Sequence, residues 1–544
     1  MISNEMNTIR MKEFTFVALL KSCAKHKNLK RGINLHDEII KKGFLEKSPY
    51  IATCLITMYA KCRMLPKAKE VIEMLPNRNV VSWNALIAGY AQEGQPCEAL
   101  NTFEKMQCEG LSPDSVTFIC TLKACGILRA IDKGKEVHDH IARSGLLGKN
   151  VPLGNALIDM YAKCGDLAKA RQVLDDLPIR DVVSWNTLIS GYAQKGQKAL
   201  EAIKCYQKMR RDDLIPDGVT FICIMKACGS LGAIEMAVEV GKEIHDQIVK
   251  RGFLEKDVVV GTALVDMYAR HGELVKAQRI LKELLIRNVI SWNALISGFA
   301  RHGQCDEAFG SFRRMQSEGI FSDVVTFISI LMACGCARDI NKGKQIHDEV
   351  LSRGLLSNNT VLGNALVDMY VKCGFPAKAQ RVLDELSMRD VITWSSVIAG
   401  YAQQGQGLEA LNCFERMQSE GFSPNVVTFI STLKACGSVR AIVKGAKIHE
   451  DVTTRGLLEK DIVLGTAVVD MYAKCSRMVK ARGVLENITT RTTATWNALI
   501  GGYAQLGQCH EALECLEEMQ RDGLRPDVVT FISILKVCKS TGAI

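Results

Sequence analysis

Two short stretches carry the residue order of a zinc-dependent hydrolytic site, His36-Asp37-Glu38 and His347-Asp348-Glu349. A His-x-Glu element supplies one metal ligand and a general acid–base. A Cys-x-x-Cys pair must complete the zinc shell before a water is activated. The chain holds 21 cysteines but no Cys-x-x-Cys. His138, His245 and His449 recur at the corresponding place without the Glu spacing. The five histidines therefore read as helix-packing or surface residues, and no metal or cofactor is expected. There is no Walker-type glycine loop and no nucleophile elbow. Acidic residues recur at structural positions without an isolated pair suited to acid–base work, so the chain reads as non-enzymatic.

Composition narrows the class. Hydrophobic residues make up 47% and charged residues 24%, the balance of a folded protein. The net charge of +10 suits a polyanionic partner, although no block of like charge stands out. No apolar run approaches a membrane span, and no small-molecule substrate site is legible. Ten cysteines fall at two repeated positions. Cys23, Cys125, Cys228, Cys334, Cys436 and Cys538 follow Lys-Ala-like dipeptides, and Cys62, Cys164, Cys373 and Cys475 follow Ala-Lys-like ones. They read as small, buried, reduced packing residues in a reducing compartment. Met1–Lys12 does not have the composition of an organelle transit peptide.

The elements that would position any site emerge from the tryptophans. Trp83, Trp185, Trp292, Trp394 and Trp496 are spaced by 102, 107, 102 and 102 residues. Residues 182–217 hold one residue more than their relatives, and the region Glu235–Val240 adds four. The 102-residue unit divides into three related pieces of 35, 36 and 31 residues. The 80–114 piece reads as a helical hairpin. Trp83, Leu86, Ile87, Tyr90 and Ala91 form one apolar helix face. Gly94 ends that helix, and Pro96 suits the first turn of the next. Ala99, Leu100, Phe103 and Met106 make the second stripe. Gly110 suits the C-terminal cap, and Ser112-Pro113-Asp114 the turn out. One hairpin cannot bury its apolar face alone, whereas stacked neighbours can, which gives an α-solenoid.

The residues Val-Val-Ser-Trp-Asn-Ala-Leu-Ile at 80–87, Asn-Ala-Leu-Ile-Asp-Met-Tyr-Ala-Lys-Cys-Gly at 155–165 and Lys-Gly-Lys-Gln-Ile-His at 342–347 resemble pentatricopeptide repeat proteins. Tetratricopeptide repeats fit the aromatic and glycine pattern less well. The resemblance is to the subclass that alternates P, L and S motifs, and it covers 13–544 after a lead-in at 1–12. The L motifs are 13–48, 115–150, 218–257, 324–359, 426–461 and a partial 528–544. The S motifs are 49–79, 151–181, 258–288, 360–390 and 462–492. The P motifs are 80–114, 182–217, 289–323, 391–425 and 493–527. The implied fold is all-α, a right-handed α-solenoid superhelix of stacked helix-turn-helix repeats. The implied role is single-stranded RNA binding in a plant mitochondrion or chloroplast. It would serve C-to-U editing as a specificity factor, or other transcript processing.

The resemblance implies that the fifth and last residues of a repeat select a base. In the P motifs these are Asn84 with Asp114, Asn186 with Asp217, Asn293 with Asp323, Ser395 with Asn425 and Asn497 with Asp527. In the S motifs they are Thr53 with Asn79, Asn155 with Asp181, Thr262 with Asn288, Asn364 with Asp390, and Thr466 with Thr492. Asn partners Asp, and Thr or Ser partners Asn; only the Thr466/Thr492 pair departs. Common ancestry of the repeats would produce the same association, but the Ser395/Asn425 repeat changes both residues relative to its siblings. A carboxylate only accepts hydrogen bonds, which suits the ring N–H of uracil, whereas an amide both donates and accepts, which suits adenine. The fifth residues of the L motifs are apolar (Val17, Ile119, Ile222, Ile328, Ile430 and Ile532), so these repeats read as spacers or weak readers. The expected partner is single-stranded RNA of the form 5′-nAUnUUnAUnUAnnU.

The resemblance further implies base stacking by the second residue of each P motif. These are Val81, Val183, Ile290 and Ile392, with Ala494 as a departure. Basic residues end the first helix of every S motif: Lys61, Lys163, Arg270, Lys372 and Lys474. The L motifs carry Lys21, Lys123, Lys226, Lys434 and Lys536 one turn after the fifth residue, with Met332 as the exception. Such residues suit a phosphate-contacting ladder, and equally suit a solvated helix face. Two other readings remain open. One is a protein-binding helical scaffold. The other is an editing enzyme lacking its deaminase domain, since the array stops at Ile544 after one helix, with editing-complex proteins recruited in trans.

Overall fold

The computed structural model describes residues 2–194, 196–231, 235–357 and 359–540. Met1 and residues 541–544, the outer ends of the expected lead-in and of the partial L motif, lie outside them. Every regular element among the described residues is a helix.

The segment 79–114 shows how sequence dictates a hairpin. Asn79 accepts from the Ser82 N–H, and Ser82 Oγ returns to the Asn79 backbone, closing a capping box on the helix Val80–Gln92. Trp83, Leu86, Ile87, Tyr90 and Ala91 are all buried. Each large apolar side chain so buried contributes roughly 1.5–3 kcal/mol. Gly94 takes φ +74°, a left-handed conformation that favours glycine, and the chain reverses there. Pro96 opens the helix Pro96–Cys108, where its missing N–H costs nothing. Gly110, at φ +76°, ends the hairpin.

First helices pack on the first helices of adjacent repeats. The run Pro49–Lys61, Val80–Gln92, Ser115–Leu128, Val151–Cys164 and Val182–Gln194 forms one continuous layer. Second helices pack on their own first helix and on the next one. The helices fall into two units, Met1–Ile286 and Arg287–Ile544, and each is an α-solenoid stack of this kind.

Three of the five tryptophans mark a joint between S and P repeats, whereas the indole N–H groups of Trp185 and Trp394 are buried without a partner. Trp83 Nε1 donates to Glu109 Oε2 at 3.2 Å, and Arg78 binds the same carboxylate. Arg78 Nε also donates to the Ile72 carbonyl. Trp292 with Glu318 and Arg287, and Trp496 with Asp522 and Arg491, repeat the arrangement. The glycine of the Lys-Gly-Lys motif serves close packing. A Cβ on Gly343 would lie 2.5 Å from Met369 Sδ, and one on Gly134 2.4 Å from Met160 Sδ.

The structure adds detail to two expectations and changes a third, the burial of the cysteines. The opening helix, Ile2–His26, runs without interruption through the expected lead-in. The extra residue of 182–217 is taken up before Ala199–Arg211 by a 3₁₀ turn at Gly196–Lys198. The cysteines separate into two kinds. Cys23, Cys125, Cys228, Cys334 and Cys436 are buried, but Cys62, Cys164, Cys373 and Cys475 are partly exposed, and Cys538 is too. The second set ends a helix where the chain turns, so solvent reaches one side.

Candidate nucleic-acid interface

The last residue of each repeat is the N-cap of the next repeat's first helix, and this fixes the geometry of the site. Asp114 accepts from the Thr117 N–H, Asp323 from Thr326 and Asp390 from Thr393. Asp181, Asp217 and Asp527 make the same bond to Ser184, Thr220 and Thr530. Asn79, Asn288 and Asn425 cap in the same way.

The fifth residue reaches across to that cap. Asn84 Nδ2 donates to Asp114 Oδ1 at 2.9 Å, Asn186 to Asp217 at 2.9 Å, and Asn293 to Asp323 at 2.8 Å. Asn497 reaches Asp527 at 2.9 Å, Asn364 reaches Asp390 at 3.0 Å, and Asn155 reaches Asp181 at 3.4 Å. All six Asn/Asp pairs are therefore joined. Ser395 behaves differently: its hydroxyl donates to the Val391 carbonyl at 2.6 Å and lies 3.4 Å from Asn425 Oδ1. The Thr53 and Thr466 hydroxyls bond the carbonyls of Pro49 and Ile462 within their own helices. Thr466 also lies 3.1 Å from the Thr495 hydroxyl, and Thr492 caps the helix that follows. Thr262 sits on Val258–Arg270 in the first unit, and Asn288 caps Val289–Arg301 in the second.

These bonds tune the carboxylates. Burial opposes the charge on Asp114, but the Thr117 N–H, the Asn84 amide and the Thr117 hydroxyl outweigh it and hold the carboxyl below its ordinary value. Asp217, Asp181 and Asp390 are depressed by the same balance. At Asp527 the Thr530 N–H leads and the direction is the same.

The sequence reading missed a third member. Every repeat that follows a P or S repeat has a hydroxyl at its third position. After S these are Ser82, Ser184, Ser291, Thr393 and Thr495; after P, Thr117, Thr220, Thr326, Thr428 and Thr530. After L the same position is apolar: Ile51, Leu153, Val260, Leu362 and Leu464. The signal was present as a period-three pattern that reads as helix capping when taken one repeat at a time.

The second residues form an exposed apolar ladder. Val81, Val183, Ile290 and Ile392 are 55–62% exposed, and Ala494 is exposed as well. The ladder extends beyond the P motifs. Val116, Val219, Val325, Val427 and Val529 continue it in L motifs, and Tyr50, Val259, Val361 and Val463 in S motifs. Val183 and Val219 line one surface recess of about 320 Å³ together with Asn186, Asp217 and Lys163. This recess brings together one member of each expected class.

The S-motif bases are placed less simply. Lys163 pairs with Asp159 at 2.6 Å, Arg270 with Asp266 at 2.7 Å, Lys372 with Asp368 at 2.8 Å and Lys474 with Asp470 at 2.6 Å. Lys61 is exposed, and Thr57 stands where its siblings have Asp. In the L motifs Lys21 donates to the Tyr50 hydroxyl. Lys123, Lys226, Lys434 and Lys536 are exposed, with no ion pair among the described residues.

The histidines pack against tyrosines. His36 Nδ1 lies 2.8 Å from the Tyr59 hydroxyl and His347 Nδ1 2.9 Å from that of Tyr370. His138, His245 and His449 repeat the contact with Tyr161, Tyr268 and Tyr472. Burial lowers the pKa of all five from the ordinary 6.5.

Similar proteins share this organisation. The PPR repeat family matches residues 78–126, 180–230, 287–336, 389–438 and 491–540, and the PPR repeat matches 14–44, 50–80, 155–182, 262–289 and 364–391. A chloroplastic pentatricopeptide repeat-containing protein of Arabidopsis thaliana is 33% identical over 526 residues, 97% of this chain and 63% of that protein. A mitochondrial one from the same plant is 32% identical over 495 residues, 91% of this chain and 70% of that protein. The chain thus spans less than two thirds of the first relative's length. Among solved structures, the pentatricopeptide repeat protein PPR10 in complex with an 18-nt psaJ RNA element aligns with TM-score 0.62 at 18% identity, covering 96% of this chain and 81% of that one. PPR10 from maize aligns with TM-score 0.53 at 18% identity, covering 97% and 91%. At that identity the likeness is one of fold.

Proposed function

The chain belongs to the pentatricopeptide repeat family, and from that premise we propose that it binds single-stranded RNA along the N-terminal ends of its first helices. The observation that carries this reading is the hydrogen-bonded fifth/last pair, set beside exposed apolar second residues in one recess. An exposed apolar ladder of this regularity suits stacking on unpaired bases. The Asn/Asp bond and cap would serve any helical scaffold, but a peptide-binding one has no reason to alternate that pair with Thr or Ser and Asn.

Within this reading P and S repeats select bases, L repeats space them, and the target is 5′-nAUnUUnAUnUAnnU. The alternation of 35-, 36- and 31-residue repeats supports placement in the P, L and S subclass. A role as specificity factor for C-to-U editing or other transcript processing, with editing proteins acting in trans, goes with that placement. The chloroplastic and mitochondrial relatives support an organellar setting. A titration of the chain against this RNA and a base-scrambled version tests the reading. Tighter binding of the first supports it, and equal binding removes it.

A further inference from the structure

We propose that, where the fifth residue of a P or S repeat is asparagine, the third residue of the next repeat is a positioning residue for base selection, its hydroxyl helping to fix the direction of that asparagine amide. This inference rests on the base-selecting reading above.

At the 182–217 repeat, Thr220 Oγ1 lies 2.6 Å from Asn186 Oδ1 and 2.9 Å from Asp217 Oδ1, so its single proton has its nearer acceptor in the amide oxygen, while Asn186 Nδ2 donates to Asp217 Oδ1 at 2.9 Å. Thr220 is fully buried and Asn186 nearly so. The carboxylate and the hydroxyl together set the amide's sense. Turned over, the amide would place its own oxygen against Asp217 Oδ1, two acceptors with no proton between them. With the hydroxyl present, the amide oxygen is already used. What remains for a base is an N–H beside a carboxylate. Uracil offers an acceptor at O4 next to a donor at N3 and fits that edge. Cytosine offers a donor next to an acceptor and is refused at both.

Capping alone does not account for the hydroxyl. At the junctions after L repeats, Asn150, Asn359 and Asp461 cap the N–H groups of Leu153, Leu362 and Leu464 without one. Those junctions follow apolar fifth residues, which have no polar group to hold, whereas the hydroxyls of Thr428 and Thr495 meet those of Ser395 and Thr466. The same lock recurs at Asn155, Asn84, Asn293 and Asn497, each with Oδ1 2.6 Å from the hydroxyl. Asn364 is the exception: Thr393 keeps the contact with the Asp390 carboxylate that its siblings share, donates to the Asp390 carbonyl at 2.8 Å, and leaves Asn364 Oδ1 buried with no partner.

The test compares the wild-type chain with Thr220→Val and Thr220→Ser on two RNAs carrying U or C at the sixth nucleotide of the target. The inference expects Thr220→Val to reduce the U-over-C affinity ratio by about tenfold, as loss of one buried hydrogen bond would, and Thr220→Ser to keep it. Melting temperatures are followed in parallel. A Thr220→Val chain that melts lower yet keeps the wild-type ratio makes the hydroxyl merely structural and overturns the inference alone. Absence of any U preference in the wild type overturns the base-selecting reading and this inference together. Ser184→Ala, read at the fifth nucleotide through Asn155, is the milder second variant with the same criteria. The unlocked Asn364 is expected to discriminate least, and equal discrimination at the eleventh nucleotide counts against the inference.

Discussion

Asn84 Nδ2 donates to Asp114 Oδ1 at 2.9 Å across an interval of 30 residues. The two positions that vary together in the sequence are therefore one hydrogen-bonded unit that joins successive repeats. The carboxylate of that unit also caps the next helix, a contribution of about 1 kcal/mol. A single substitution would disturb cap and recognition together. Exchanging both residues for another pair already present in the chain preserves the cap, because Asn425 caps its helix as Asp114 does.

The ion pairs within the S motifs make a prediction about salt. Lys372 spends its charge on Asp368, whereas Lys123 has no ion pair among the described residues. Lys123→Gln should make the log–log salt slope of RNA binding shallower by roughly 0.7, the amount per phosphate on a single strand. Lys372→Gln should change it less. Slopes from titrations at several salt concentrations check this, and equal effects would place the phosphate contacts on both rows.

The tryptophan joint predicts a stability loss. Glu109→Ala leaves the Trp83 N–H and the Arg78 guanidinium without their shared acceptor. A cost of about 0.5–1.5 kcal/mol follows, because the Trp83 ring is buried while the Arg78–Glu109 pair is about a third exposed and water can replace part of it. Denaturant titration measures it, and a change under about 0.2 kcal/mol would show that solvent replaces the carboxylate freely.

Two glycines should respond in opposite directions to alanine. A Cβ on Gly343 meets Met369 at 2.5 Å, while one on Gly483 meets nothing within 4 Å. Gly343→Ala should destabilise by about 1–3 kcal/mol through overpacking. Gly483→Ala, within the helix Met478–Asn487, should stabilise by about 0.4–1 kcal/mol by narrowing the unfolded ensemble. Thermal melts of the two variants decide it.

The buried histidines predict acid sensitivity above the carboxylate range. Their folded pKa values lie below 6.5, so the unfolded chain binds protons first as pH falls. Stability should be complete above that value and decline as pH falls through it toward the lowered folded values. The capping aspartates Asp114, Asp181, Asp217 and Asp390 act in a separate window. Their folded values lie below 3.8, so their contribution is present above that value and is lost only as pH falls through the depressed ones. Melting temperature against pH should therefore fall in two stages. Replacing the five histidines by glutamine should flatten the first, and an unchanged first stage would assign it elsewhere.

Much of this was legible in the sequence because local signals repeat in register. Gly94, Pro96 and Gly110 mark the turns by backbone chemistry alone. Trp83, Leu86 and Ile87 mark the buried face by helical period. What was hidden lies between repeats. The Thr117 hydroxyl has an obvious local use at a helix N-terminus, and its bond to Asn84 spans 33 residues. The Asp159–Lys163 pair follows from helical spacing, but a basic position considered by itself conceals its neutralising neighbour. The partial exposure of Cys164 depends on how tightly the turn after it is covered, which composition does not record.

The most direct test of base selection is Asn84→Thr combined with Asp114→Asn, which recreates the Thr53/Asn79 pair. Binding is measured on two RNAs that differ only in U or A at the third nucleotide of the target. The account predicts that the wild type prefers U there, that the double variant prefers A, and that preferences at the other nucleotides stay unchanged. A preference at the third nucleotide that the exchange leaves unaltered would contradict it.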